Sequence, residues 1–424
     1  MDTIVTAFVV LIPVAGVLLL LTSGNPSVQE LRPRGVLGWL ISLVAYAALA
    51  LFSVALIYII RPVGAHSLGD IGFFATLFAL QLMVVAVVAA ILAFLSWKFI
   101  SRLAGSLFGL TALVVGYIPV KDTTADMARA SKYAVPVSLL KALKPQIKLL
   151  SGPELTKTVR YGSVDGEDLL LDVWPAKKVE PGKPHPTVIR IHGGGWTSGS
   201  RGDFGGWPLW LSELGVTVFD IDYRMPPPER WKSEVGDVKC AIGWVYNNAD
   251  KHGIDRDAIS VMGYSAGGHL AALAAITMGN PELPPTCDVP EVKVSSIINL
   301  YGPSDLPLFY QTANTPEYVQ GAMKQWIGGS LEQYPERYKL LSPNTHINAR
   351  TSPMIMFLGE TDRIVPRSMA EGWDKALTAA GVYHEIYFLP GADHGYDANW
   401  TSLASQVTQT KVRTFLETYG GLKK

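Results

Sequence analysis

The chain has 424 residues, 49% of them hydrophobic and only 17% charged, with 36 Lys and Arg balanced by 36 Asp and Glu. A neutral balance leaves no basic footprint for nucleic acid. Two cysteines, Cys240 and Cys287, are too few for a disulfide framework and lie outside any metal-ligand spacing. A single bridge between them stays open, and with it the redox compartment.

In chain order, residues 3–29, 35–60 and 71–97 carry no charge, and each run is long enough to cross a bilayer as a helix. The first run lacks a positively charged n-region, since the first Lys or Arg is Arg32, so it reads as an anchor rather than a cleaved signal peptide. A fourth run, residues 103–120, is 18 residues long and carries Gly105, Gly109 and Gly116. It either spans or lies in the interface. Arg32 and Arg34 sit in the first loop and Lys98 and Arg102 in the third, against Arg61 alone in the second. The excess of positive charge assigns those loops to the cytoplasm. Four spans then place the rest of the chain outside the cytoplasm, and three place it inside. The four-span reading is preferred. None of the runs contains Asp, Glu, Lys, Arg or His, which argues against a transporter or channel.

The organisation expected is therefore a transmembrane region over residues 1–120, a linker or cap segment over 121–155 and a catalytic domain over 156–424. Within residues 131–152, Leu139, Leu140, Leu143, Ile147 and Leu150 share one helical face, and Lys141, Lys144 and Lys148 fall largely opposite, with Pro145 as a break. Three roles fit this segment: a linker helix packed on the catalytic domain, a basic amphipathic segment on the membrane surface, or a cap over the site.

From residue 156 the pattern changes. Residues 158–174 read as an antiparallel pair turning at Val164-Asp165-Gly166. Strands follow at 187–191, 216–221, 258–262, 294–300, 353–358 and 385–389, with helices at 233–248, 266–278, 368–380 and 402–419. Strands alternating with helices predict a mainly parallel, doubly wound α/β sheet.

Three stretches of this half carry chemistry. Gly263-Tyr264-Ser265-Ala266-Gly267 lies between a strand and a helix, the setting of a serine raised on a tight turn. The neighbours two residues away must be small, and the helix start offers free N–H groups to developing negative charge. His192-Gly193-Gly194-Gly195-Trp196 directly follows a strand. Its glycines can turn backbone amides inward, which an acyl-transfer oxyanion requires. The amides of Gly193, Gly194 and Ala266 are the expected donors, and His192 is expected to shape the loop rather than act as a base. Among the eight histidines, His394 in Pro390-Gly391-Ala392-Asp393-His394-Gly395-Tyr396 sits just past a strand end and is the expected base. His269, one turn after the serine, reads as a packing residue. Asp362, just past the preceding strand, is the expected orienting acid. Asp305 is its best rival, with Glu360, Asp393 and Asp397 weaker. The chain order is then Ser265, Asp362, His394.

These motifs, taken as a set over residues 159–416, resemble the α/β-hydrolase superfamily, and within it the hormone-sensitive-lipase-like carboxylesterases and acetyl-esterases. Asp222-Tyr223-Arg224-Met225-Pro226-Pro227-Pro228-Glu229 before a helix with Asp237 and Trp244 is similar to that group. So is Ile327-Gly328-Gly329-Ser330 before Leu341-Ser342-Pro343. The apolar first 120 residues depart from the usual pattern and resemble membrane-anchored bacterial esterases.

The resemblance implies a serine carboxylester hydrolase working through an acyl-enzyme on lipid or acylated small-molecule esters, in the bacterial cell membrane, with no metal or cofactor. A membrane-associated acyltransferase or deacetylase with the same triad is the alternative. Trp196 and Tyr264 are candidate substrate-binding residues. Trp196 and the aromatic insertion at 303–350, with Phe309, Tyr310, Tyr318, Trp326, Tyr334 and Tyr338, either wall an acyl pocket or belong to the core.

Overall fold

The computed structural model describes residues 33, 35–60, 79–99, 102–148 and 157–423. It divides into two compact units, Met1–Ala128 and Arg129–Lys424. The first apolar run lies outside the described residues.

In the first unit, α1 spans Gly35–Ile60, α2 spans Ala79–Phe99 and α3 begins at Arg102. Two helical segments, Leu80–Lys98 and Arg102–Lys132, are long and apolar enough to cross a membrane by length and composition. The three glycines of α3 have a packing reason. A Cβ on Gly105 would sit 2.6 Å from that of Trp97, one on Gly116 3.3 Å from that of Ala86, and one on Gly109 3.8 Å from that of Ala93. The two helices thus approach along a line of small residues, the usual device for apolar helices that lack a hydrophobic driving force between them. The helix does not stop at Val120, where the apolar run ends, but continues to Lys132. Hydropathy reports where a segment ceases to be apolar, not where its backbone hydrogen bonds cease.

The second unit is built on one eight-stranded sheet in the order β1-β2-β4-β3-β5-β6-β7-β8. β1 (Lys157–Val164) and β2 (Glu167–Trp174) form an antiparallel hairpin, and β2 pairs antiparallel with β4 (Thr217–Ile221). The hairpin turn is Asp165-Gly166, with φ of 54° and 82°. Both positive values match the twist of the flanking strands. The remaining pairings, through β3 (His185–Ile191), β5 (Ile254–Tyr264), β6 (Ser296–Leu300), β7 (Met354–Gly359) and β8 (His384–Leu389), are parallel. Every residue of β4, β6 and β7 is buried, as expected where helices cover both faces. β3 has β4 on one side and β5 on the other. The strand order reverses there, so the loop after β3 and the turn after β5 emerge side by side at the carboxyl edge.

Residues 131–148 do not form one helix, and residues 149–152 lie outside the described residues. A single turn, α4 (Leu139–Ala142), is followed by an extended stretch in which Ile147 bridges Asn399. Pro145 cannot continue a helix, and the backbone finds partners in the neighbouring loop instead. Trp400 N–H donates to the Gln146 carbonyl at 2.8 Å, and Lys148 N–H to that of Ala398 at 3.0 Å.

Further helices are α5 (Gly206–Glu213), α6 (Trp231–Asn247), α7 (Ala249–His252), α8 (Ala266–Ile276), α9 (Leu306–Thr312), α10 (Pro316–Ile327), α11 (Pro335–Leu340), α12 (Arg367–Ala379) and α13 (Leu403–Tyr419). Cys240 on α6 and Cys287 form a disulfide. Beside it the buried Lys239 ammonium donates to the carbonyls of Thr277 and Leu283, so both groups tie the 277–293 loop to α6. Their separation of 47 residues closes a long loop. Replacing both cysteines with alanine should therefore lower unfolding stability by about 2–4 kcal/mol. Tryptophan fluorescence across a denaturant series reads this, and equal midpoints for variant and parent would contradict it.

Candidate active site

β5 ends at Tyr264 and α8 begins at Ala266, so Ser265 alone makes the turn. Its φ of 54° and ψ of −125° put a non-glycine residue in a costly region. The conformation persists because the surroundings over-determine it. Ser265 N–H donates to the Leu300 carbonyl at 2.9 Å, and the Ser265 carbonyl accepts from His269 N–H at 3.1 Å. A Cβ on Gly263 would lie 2.1 Å from the Gly267 carbonyl oxygen, and one on Gly267 2.2 Å from those of Ile191 and His192. No side chain fits at either position.

His394 reaches this serine from the loop after β8. Its Nε2 lies 2.8 Å from Ser265 Oγ, and its Nδ1 lies 2.9 Å from Asp362 Oδ2, in the loop after β7. Asp362 is buried and fixed by three further bonds. Its Oδ1 accepts from Ile364 N–H and Val365 N–H, both at 2.8 Å, and its carbonyl accepts from Asn314 Nδ2 at 2.7 Å. Nδ1 can only donate to a carboxylate, so neutral His394 presents Nε2 as an acceptor to the serine hydroxyl.

The rival acids are otherwise engaged. Asp305 caps α9 through Leu308 N–H at 2.9 Å and accepts from Asn344 Nδ2 at 3.1 Å. Asp393 pairs with Arg363. Asp397 accepts from Tyr301 Oη at 2.5 Å and Trp207 Nε1 at 2.7 Å. Glu360 pairs with Arg129 at 3.0 Å.

The chain is also similar to known proteins over this unit. The family model described as BD-FAE matches residues 171–377. Esterase LipC of Mycobacterium tuberculosis is 36% identical over 57% of this chain and 60% of its own length. Esterase LipQ of the same organism is 32% identical over 62% of each. The chain thus spans about three fifths of the length of these curated relatives. Thermogutta terrifontis esterase 2, solved phosphorylated by paraoxon, superimposes with a TM-score of 0.54 at 27% identity, covering 64% of this chain and 97% of that one. The second unit has the α/β-hydrolase fold.

In the hydrolase unit the His192–Trp196 loop is held from two sides. His192 is fully buried and stacks on Tyr223 at 4.2 Å between ring centroids, and Tyr223 Oη donates to the His192 carbonyl at 3.1 Å. Gly194, Gly195 and Trp196 all have positive φ, at 114°, 60° and 60°. The amides of Gly193 and Gly194 have no protein acceptor among the described residues. Ala266 opens α8, where the first N–H groups have no intrahelical acceptor.

Trp196 is 3% exposed, stacked on Trp326 at 4.7 Å, and its Nε1 donates to His269 Nδ1 at 3.2 Å. His269 Nε2 in turn donates to the Leu341 carbonyl at 2.7 Å. Burial pushes His269 down to about 4, so it is neutral at working pH. The histidine is therefore a packing residue with a bonding duty that spacing alone does not reveal. Tyr264 is buried, with its ring 5.4 Å from the Arg190 guanidinium. Within the insertion, Phe309, Trp326 and Tyr338 belong to the core, while Tyr318 is 41% exposed. A Cβ on Gly195 would lie 3.0 Å from the Tyr318 hydroxyl. Tyr301, which sequence reasoning passed over, packs edge-on to His394 at 4.7 Å. Among the described residues no group of three His, Cys, Asp or Glu side chains is placed to hold a metal ion.

Burial pulls the His394 imidazole down, but Asp362, joined by Asp393 and Asp397, outweighs it, and the net shift is upward from 6.5. A base must be neutral, so activity should fall with decreasing pH, with its midpoint above 6.5. Asp362→Asn removes the largest of the charges that raise it and leaves the burial. The acid limb should then move to lower pH, and turnover should drop by roughly 10³–10⁴. Profiles of kcat/KM on a soluble ester check both, and an unmoved limb in Asp362→Asn would refute the assignment.

Proposed function

We propose that the chain is a membrane-anchored serine carboxylester hydrolase with Ser265, His394 and Asp362 as its triad. The observation that carries this is the unbroken hydrogen-bond chain from Ser265 Oγ through His394 to Asp362, with the serine held on its strained turn. Ser265 Oγ attacks the ester carbonyl while His394 Nε2 takes its proton. Asp362 holds the tautomer and stabilises the imidazolium. The amides of Gly193, Gly194 and Ala266 receive the oxyanion. His394 then returns the proton to the leaving alkoxide, and water, deprotonated by the same ring, releases the acid and restores Ser265.

The relatives support this reading. Thermogutta esterase 2 is known with paraoxon-derived phosphoryl and with bound propionate, and carries over as an ester-cleaving site open to organophosphorus reagents. The disulfide supports an extracytoplasmic hydrolase, because such bonds persist in oxidising compartments. It thereby favours the four-span arrangement.

A fluorophosphonate probe should label the parent and not Ser265→Ala, and hydrolysis of a short-chain p-nitrophenyl ester should fall by roughly 10⁶ in that variant. Labelling that survives the substitution would sink the proposal. Adding an alcohol acceptor and analysing products separates hydrolysis from acyl transfer.

A further inference from the structure

The segment after α3 has an arrangement that neither the fold nor the triad uses. Its backbone is spent on the histidine loop. Gln146 N–H donates to Thr401 Oγ1 at 3.2 Å, and Thr401 Oγ1 donates to the Lys144 carbonyl at 2.9 Å. Gln406 clasps Ser138 through two bonds, at 2.7 and 3.1 Å. Together with the bonds to Ala398 and Trp400, these fasten the segment to the loop that carries His394 and to the start of α13.

Its side chains turn the other way. Leu139 is 37% exposed, Leu140 77%, Leu143 40% and Ile147 42%. Single exposed apolar residues are ordinary, but four within nine residues form a strip. Lys141, Lys144 and Lys148 punctuate it, and none has an acidic partner among the described residues. Apolar side chains interleaved with unpaired lysines complement an anionic lipid surface, where the stems lie on the acyl boundary and the ammonium groups meet phosphates.

The chain also limits where the strip can be. From Val120, where the apolar part of α3 ends, to Leu139 lie twelve helical residues and the link 133–138. Their combined reach is at most about 40 Å.

We propose that residues 139–148 dock on the anionic surface of the bilayer and lay the His394 loop against it, so that ester substrate enters from the lipid interface. The substrate part rests on the hydrolase reading above, while the docking part does not.

The test uses the full chain in nanodiscs containing phosphatidylglycerol. Leu140→Cys is labelled with an environment-sensitive fluorophore, with Leu113→Cys on α3 as lipid control and Lys375→Cys on α12 as solvent control. Lipid-borne quenchers should dim the label at position 140 about twofold, and the label at 375 not at all. In parallel, Leu140→Asp should lower hydrolysis of a bilayer-borne ester about tenfold relative to a water-soluble ester, whose rate stays at the parent level. The double variant Lys141→Glu, Lys144→Glu should lower the same ratio in phosphatidylglycerol discs and not in phosphatidylcholine discs.

A label at 140 that behaves like the one at 375 overturns the docking. So does disulfide cross-linking of unlabelled Leu140→Cys in place of quenching, which would assign the strip to a second copy of the chain. An unchanged ester ratio in Leu140→Asp overturns the entry route. Quenching in a parent that hydrolyses neither ester leaves docking standing and removes the hydrolase reading instead.

Discussion

The hydrolase unit depends on one close approach. The start of α8 is pressed against the carboxyl ends of β3 and β5 with no space for a side chain between backbones, which is why Gly263 and Gly267 cannot carry one. The same constraint recurs along the edge. A Cβ on Gly302 would lie 2.6 Å from His269 N, and one on Gly359 2.1 Å from the Ala392 carbonyl oxygen. The loops after β3, β5 and β6 therefore meet at backbone contact, as do the end of β7 and the loop after β8. That convergence strains Ser265 into place and brings a histidine 129 residues distant within hydrogen-bond reach of it.

Much of this was legible before any coordinates. The strand and helix pattern implied the sheet, and chain order singled out Asp362 over Asp305. Asp305 proves to be spent on capping α9, a local duty that its position after a strand did not disclose. What escaped the sequence lay in tertiary partnership. The apolar spacing in residues 131–152 suggests a helix broken at Pro145, yet hydrogen-bond partners in residues 398–401 draw the chain from Pro145 to Lys148 out into an extended stretch. The pairing of Cys240 with Cys287 depends on how the 277–293 loop folds over α6, which two cysteines alone cannot specify. Tyr301 beside His394 gave no signal, since an aromatic residue after a buried strand is ordinary in any core.

Charge is handled differently in the interior and at the edge. Arg190 and Asp220 face each other on adjacent strands with both side chains fully buried, and burial pushes Asp220 up to about 6 even beside its partner. Such a pair is costly to desolvate, and it is retained where it also organises backbone. Gly202 N–H donates to Asp220 at 2.8 Å and Arg190 donates to the Asp203 carbonyl, so the pair anchors the loop that follows the His192–Trp196 turn.

The His269 imidazole, bonded to Trp196 on one nitrogen and to the Leu341 carbonyl on the other, joins the His192–Trp196 loop to the insertion that contains α9, α10 and α11. Trp196 stacked on Trp326 adds a second joint between the same two parts. The loop and the insertion are thus one mechanical body. A change in the packing of the insertion is therefore transmitted to the backbone of the His192–Trp196 loop. An insertion transplanted without its matching tryptophan and histidine would leave the His192–Trp196 loop without two of its supports.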